Sequence, residues 1–438
     1  MIKRLIRRVL GLPSEVRVTR GEHDLARDAI SPATAKVCAA LREAGYSAYV
    51  VGGAVRDLLL GITPKDFDVA TNARPEQVRP LFRRAIIIGR RFRLVHVMLG
   101  PETIEVSTFR AADPETAETD EHGRVLRDNV FGTQEEDARR RDFTVNALYF
   151  DPQTEEMVDF HGGLADLKKR VLRVIGDPQT RYREDPIRML RAVRLAAKLG
   201  LTLDPATREP IRELAPLLER VPPARLFDEM LKLLLSGHAS ACLRQLREVG
   251  LHKGVLPLLD VILEQPLGER FVTLALAQTD ERVLAERPVS PAFLFAALLW
   301  HEVLAAWKAR QARGERAIPA LEAAMDDVLD TQCAKLAITR KLTATMREVW
   351  AMQPRFEQRS GQRAYRLLEA ARFRMAYDFL ALRAASGEVP AELEAWWRAF
   401  QGADSETRKA MLLPETGPRK RRRRRRKKRP AEAASQPA

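Results

Sequence analysis

Asp66 and Asp68 are the side chains in this sequence whose type and spacing point most directly to chemistry. Two residues apart on a strand, their carboxylates project to one face while Phe67 turns the other way, into the core. Like charges so placed repel unless a cation lies between them, and a hard divalent ion such as Mg²⁺ accepts oxygen ligands of this kind. Shortly before them runs Val51-Gly52-Gly53-Ala54-Val55-Arg56-Asp57. Gly52 and Gly53, between an expected strand and an expected helix, allow close backbone approach, and the helix start offers N–H groups to a phosphate. Taken singly, a Gly-Gly pair is more often a turn and a D-x-D pair an edge strand facing solvent. Their succession favours a phosphate-and-metal site.

Asp185 and Arg188 form a second candidate. Spaced i,i+3 on a helix, they share a face and would make a fixed acceptor–donor edge. A carboxylate accepting from an exocyclic amino group, beside a guanidinium donating to the adjacent ring nitrogen, suits adenine and cytosine and rejects uracil and guanine. The plain alternative is an intrahelical salt bridge worth a few tenths of a kcal/mol.

These residues need elements to hold them. Periodicity predicts helices over 32–44 and 54–60 and strands over 67–70, 85–88, 93–99, 103–109 and 145–150. Residues 111–127 are polar and acidic and read as a mobile loop or a long exposed hairpin. From about residue 164 the pattern is helical, with helices over 185–199, 211–218 and 223–235, and it continues to about residue 400. The expected organisation is a flexible leader (1–30), a catalytic head (31–165), a helical neck (166–240), a helical body (241–413) and a disordered polybasic tail (414–438). The fold class is α+β: a small head with a mixed sheet, then an all-helical neck and body.

Net charge is +15, and eleven of the positive charges form one run: Arg419, Lys420, Arg421, Arg422, Arg423, Arg424, Arg425, Arg426, Lys427, Lys428 and Arg429. With that run and Glu432 set aside, residues 1–418 carry only +5. A block of like charge does not pack, and it is suited to neutralising phosphates, so an RNA-binding arm is expected; a solubility tail is the bland alternative. Cys38, Cys242 and Cys333 lie far apart with no CxxC pair, which argues against a disulfide framework or zinc site and suits a reducing cytoplasm. The most apolar stretch, 291–300, reads as a buried helix and not a membrane span. Residues 1–10 mix Lys3, Arg4, Arg7 and Arg8 with apolar residues and suit a solvated terminus or a short basic amphipathic helix at a membrane surface.

The Gly-Gly and D-x-D segments resemble the catalytic motif of the polymerase-β-like nucleotidyltransferases, in particular the class II branch that holds bacterial poly(A) polymerases and tRNA CCA-adding enzymes. The second motif of that branch is matched by Arg140-Arg141-Asp142-Phe143-Thr144-Val145-Asn146-Ala147, and the third by Glu184-Asp185-Pro186-Ile187-Arg188, which continues to Arg191 and Arg194. The resemblance is close over about 45–235 and looser beyond. It implies that Asp66 and Asp68 hold two Mg²⁺ ions and that Asp142 completes the acidic set. It also implies that Arg56, Arg141 and Asn146 contact the triphosphate and ribose of ATP, with Gly52, Gly53, Asp57, Asp185, Arg188 and Arg191 in the same nucleotide-binding set. Glu105, on the strand over 103–109, is a further carboxylate that could face the metals, ranked below Asp142. Arg110 is a possible phosphate contact.

Three features lean towards the poly(A) branch: AMP transfer to the 3′ ends of messenger and regulatory RNAs. Residues 89–96, Gly-Arg-Arg-Phe-Arg-Leu-Val-His, resemble a segment typical of bacterial poly(A) polymerases; the polybasic tail resembles theirs; and no His-Asp phosphohydrolase signature is present, the one His-Asp pair being His23-Asp24 in the leader. A CCA-adding enzyme and an inactive RNA-binding protein on the same fold are the alternatives. RNA-decay proteins are expected as possible partners of a monomer.

Overall fold

The computed structural model describes residues 16–19, 22–89, 93–111, 118–119, 125–127, 130–251 and 266–414. Arg90, Arg91 and Phe92, most of the expected leader, and the basic run 419–429 lie outside the described residues. The chain divides into two compact units, Met1–Thr343 and Ala344–Ala438.

An eight-stranded mixed sheet builds the head of the first unit. Its strands are β1 (Val16–Val18), β2 (Ala48–Val51), β3 (Asp68–Thr71), β4 (Ala85–Ile88), β5 (Leu94–Leu99), β6 (Glu102–Thr108), β9 (Leu148–Phe150) and β10 (Met157–Asp159). They lie in the order β1-β10-β9-β2-β3-β6-β5-β4, and only β3 and β6 pair in parallel. Separately, β7 (Glu118–Thr119) pairs antiparallel with β8 (Val125–Arg127), and the rest of the stretch expected as a loop or hairpin, 112–117 and 120–124, lies outside the described residues.

Period-two alternation gives the sheet two unlike faces. Val50, Val69, Val95, Val97, Ile104 and Val106 are buried on one face, where α1 (Pro32–Glu43) packs on β2, β3 and β6 and contributes Val37, Cys38 and Leu41. Ser31 starts that helix by accepting from the Thr34 N–H. The other face carries Val51, Ala70 and Tyr149, packed with Ala138, Phe160 and Ile175. Two elements border this second core: α2 (Gly53–Leu59) and α3 (Gln134–Arg140). A reciprocal capping box between Thr133 and Glu136 fixes the start of α3.

Two expectations need correction. Part of the supposed leader is built onto the head: β1 pairs with β10, His23 is buried with its ring against the Glu155 carbonyl, and residues 27–29 form a helical turn. Phe67 does not enter the core. The strand begins only at Asp68, so Phe67 lies half-buried in a surface pocket beside Ile30, Pro32 and Leu58.

Helices α4 (Pro178–Glu184), α5 (Ile187–Leu199), α6 (Pro223–Leu234) and α7 (Ala239–Val249) follow. A single helix over 185–199 was expected; the chain instead breaks at Asp185, whose backbone is extended (φ −147°, ψ 94°) ahead of Pro186. A residue before proline is pushed out of the α region, and that break gives Asp185 its position. Further on, α8 (Pro291–Ala312) is long and apolar enough to span a membrane, but Leu294 to Val303 are almost all buried against neighbouring helices. The second unit is helical around Phe356, Phe373, Trp397 and Phe400, with the Trp397 indole N–H donating to the Phe356 carbonyl.

Candidate active site

Gly52 stands between β2 and α2 with φ +80° and ψ −134°, a conformation that needs glycine. A Cβ there would lie 3.4 Å from the Arg141 guanidinium and 3.9 Å from the Asp68 carboxylate, so the turn, the arginine and the carboxylate meet at one point.

Register decides which carboxylates join Asp68. Its partner on β6 is Glu105, so the two side chains point to the same face one strand apart. Burial, then Glu105 and then Asp66 push the Asp68 carboxyl up to about 6, against the opposing pull of Arg141. The acidic set is therefore Asp66, Asp68 and Glu105. Among the described residues no three His, Cys, Asp or Glu side chains converge closely enough to hold an ion unaided. Mutually repelling hard oxygen donors fit Mg²⁺, which commonly takes one or two carboxylates and completes its shell with water and substrate phosphate.

Asp142 does something else. It accepts from Arg191 through Nε (2.9 Å) and Nη2, from Asn146 Nδ2 at 2.9 Å and from the Phe143 N–H at 2.8 Å. Burial works against its ionisation, but Arg191 and these hydrogen bonds hold it below the usual carboxylate range. Both of its carboxylate oxygens thus accept from protein donors, whereas Asp68 faces other carboxylates. Asn146 Oδ1 accepts in turn from Arg56 Nη1 at 2.6 Å, and Arg56 is clamped on its other edge by Asp57. Asp57, Arg56, Asn146, Asp142 and Arg191 thus form one continuous hydrogen-bonded chain. It ties α2 and the 140–147 segment to α5.

Sequence reading missed the support of Arg141. Asp137 is 2% exposed and accepts from Arg141, from Arg140 and from the Tyr149 hydroxyl. Burial opposes its charge, and the two arginines overcome that and hold its carboxyl low. The guanidinium of Arg141 is locked between Asp137 and Tyr149, and its Nη1, which donates to the Asn146 carbonyl at 3.4 Å, faces Gly52. From α4, Arg181 donates to the carbonyls of Arg140 and Arg141 at 2.8 and 2.7 Å. The signal was present as two charged residues, Asp137 and Arg141, one helical turn apart. Arg110 donates its backbone N–H to Asp137.

Asp185 and Arg188 do not bond side chain to side chain. Asp185 Oδ2 accepts from Arg225 of α6 at 2.9 Å, while its Oδ1 is shielded from solvent with no partner. Arg188 donates to the Arg181 carbonyl and to Glu184. The Arg188 backbone N–H closes the turn by donating to the Asp185 carbonyl at 3.0 Å. The salt-bridge alternative is absent, and a buried acceptor is left open at the helix break.

Residues 48–173 match the family model "Poly A polymerase head domain", 200–263 match "Probable RNA and SrmB- binding site of polymerase A", and 313–430 match "Polymerase A arginine-rich C-terminus". Poly(A) polymerase I of Escherichia coli O6:H1 is 48% identical over 93% of this chain and 91% of its own length. The Haemophilus influenzae poly(A) polymerase I is 45% identical over 89% of this chain and 87% of its own. A Streptococcus pneumoniae CCA-adding enzyme is 42% identical, over 45% of this chain and 48% of its own. Among solved structures, the Bacillus stearothermophilus CCA-adding enzyme in complex with CTP superposes with a TM-score of 0.57 at 28% identity, covering 84% of this chain and 82% of that one. Near-full-length identity to poly(A) polymerases, with the motifs standing where the sheet brings them together, places the chain in the bacterial poly(A) polymerase family of nucleotidyltransferases.

Proposed function

We propose that this enzyme transfers AMP from ATP to the 3′ end of RNA without a template and releases pyrophosphate. The observation that carries the reading is the meeting of Gly52, Arg141 and the Asp66–Asp68–Glu105 set at one end of β3. Arg141, fixed by Asp137 and Tyr149, neutralises the triphosphate from the Gly52 side. Arg56, held by Asp57 and Asn146, stands behind the Gly52-Gly53 turn and keeps it rigid. The 3′-hydroxyl oxygen forms a bond to the α-phosphorus, the bond from the α-phosphorus to the bridging oxygen breaks so that this oxygen leaves with pyrophosphate, and the hydroxyl proton passes to solvent. When bound, Mg²⁺ held by Asp66, Asp68 and Glu105 supplies charge neutralisation for the attacking and leaving oxygens. Asp185 accepts from the exocyclic amine of the incoming base through its free Oδ1, and Arg188 donates to the ring beside it.

RNA reaches this site as a backbone ligand, for which the 200–263 segment and the basic run 419–429 are suited. The three cysteines are free thiols, which suits a reducing cytoplasm. The test is extension of a short labelled RNA with Mg²⁺ and each nucleoside triphosphate supplied singly. A long ladder with ATP alone supports the reading. CTP-dependent addition of a few residues confined to tRNA-like ends contradicts it and favours CCA addition.

A further inference from the structure

The β5 and β4 end of the face that carries Asp68 and Glu105 is left without a role by these assignments. Register places Asp68 opposite Glu105, Glu105 opposite His96 and His96 opposite Ile86, one row across β3, β6, β5 and β4. Side chains directly opposite one another point to the same face. Over β9, β2 and β3 that face is roofed by the Tyr149 and Ala138 core, and among the described residues that core does not extend beyond Glu105. His96 and Met98 are only half-buried, and Ile86 is 50% exposed at the sheet edge. Among the described residues the row therefore continues from Glu105 as an uncovered, mostly apolar strip two strand spacings long, roughly 10 Å.

Charge lies where the strip ends. Arg79, Arg83 and Arg84 lead into β4, are exposed, and make no ion pair among the described residues. The Arg84 carbonyl accepts from the Met98 N–H, which fixes the start of this edge.

The reaction needs attacking and leaving oxygens on opposite sides of the α-phosphorus. Gly52 and Arg141 hold the triphosphate on one side of Asp68, so the attacking oxygen arrives from the other, over Glu105. We infer that the open face of β5 and β4 seats the 3′-terminal nucleotides of the RNA, with His96 stacked on a base, Met98 and Ile86 lining it, and Arg83 and Arg84 meeting backbone phosphates. Single-stranded RNA is commonly held in this manner, by sheet-face side chains that stack bases beside a basic rim. The inference rests on the adenylyl-transfer reading above. It adds His96, the last residue of the 89–96 segment, as a contact to substrate.

The test uses the full-length protein and a short oligoribonucleotide, with RNA and ATP varied separately. His96→Ala and the exposed Ile86→Glu should raise the KM for RNA roughly 5- to 100-fold, the loss expected for one stacked base, with the KM for ATP unchanged. His96→Phe, which keeps a stacking surface, should restore most of the loss. An unchanged KM for RNA in both variants overturns the inference. So does a fall in kcat alone in His96→Ala, because that means His96 only positions Glu105, which lies 3.8 Å from its ring. A second arm requires no turnover: an RNA with 4-thiouridine at its 3′ end is photocrosslinked and the attachment mapped. Attachment within 84–99 supports the seat even if ATP proves not to be the substrate, and attachment confined to the neck helices overturns it.

Discussion

Two aspartates of similar local sequence behave oppositely here, because of what faces them. Asp68 faces Glu105 and Asp66, and its carboxyl is pushed up to about 6; Asp142 faces Arg191 and Asn146 and is held low. Without divalent ions, Asp68→Asn should therefore stabilise the protein at neutral pH. Below about pH 4 the wild-type carboxyl is protonated both folded and unfolded, so the two proteins should melt alike. Between about pH 4 and 6 the unfolded chain ionises freely while the folded wild type must ionise Asp68 against its neighbours, and above pH 6 the difference levels off. The variant should then gain on the order of 1 kcal/mol, kept small because this carboxylate still reaches solvent and its repulsion is screened. Melting curves in EDTA from pH 4 to 8 check this, and a pH-independent difference counts against it. Asp142→Asn should cost about 2 kcal/mol by leaving Arg191 without its carboxylate, yet leave the Mg²⁺ concentration for half-maximal activity unchanged. Glu105→Gln should raise that concentration severalfold. Equal shifts in the two would return Asp142 to the metal set. Sequence alone ranked Glu105 below Asp142 because register across β3 and β6 is a property of pairing and not of either strand.

At the scale of elements, the strands and helices around the motifs were legible from periodicity to within a few residues. Two features were not drawn out. Asp185 sits at a helix break that Pro186 imposes, a local rule that could have been applied; instead the two sides were read as one face of a single helix. Arg225, which holds Asp185 from α6, lies 40 residues away and carries no local signal. If Asp185 reads the base, Asp185→Ala should lower kcat/KM for ATP roughly 10- to 100-fold, the loss of a hydrogen bond to a charged group. Arg225→Ala, which only loosens Asp185, should lower it a few-fold with little change in Tm. Equal kcat/KM in Asp185→Ala and wild type removes Asp185 from base recognition.

Across the whole molecule, the charge asymmetry was plain in the sequence: a body near balance followed by eleven consecutive cations. The α+β head and helical remainder were equally plain, whereas the division at Ala344 was not, because helical periodicity runs through it unbroken. Deleting 419–438 should weaken RNA binding and flatten its dependence on salt by several units of log–log slope, at most about 8, since each phosphate neutralised on a single strand contributes about 0.7. Binding isotherms from 50 to 300 mM salt measure this, and an unchanged slope means that the run is not an RNA arm.

The central claim is that the carboxylates at the start of β3 drive adenylyl transfer at an RNA end. The most direct measurement is pyrophosphate release with ATP, Mg²⁺ and a generic RNA, compared between wild type, Asp66→Ala and Asp68→Ala. RNA affinity is measured on the same samples. The account predicts sustained release by wild type and none detectable from either variant, with RNA affinity within about twofold. Near-normal release from either variant, or none from wild type, contradicts it.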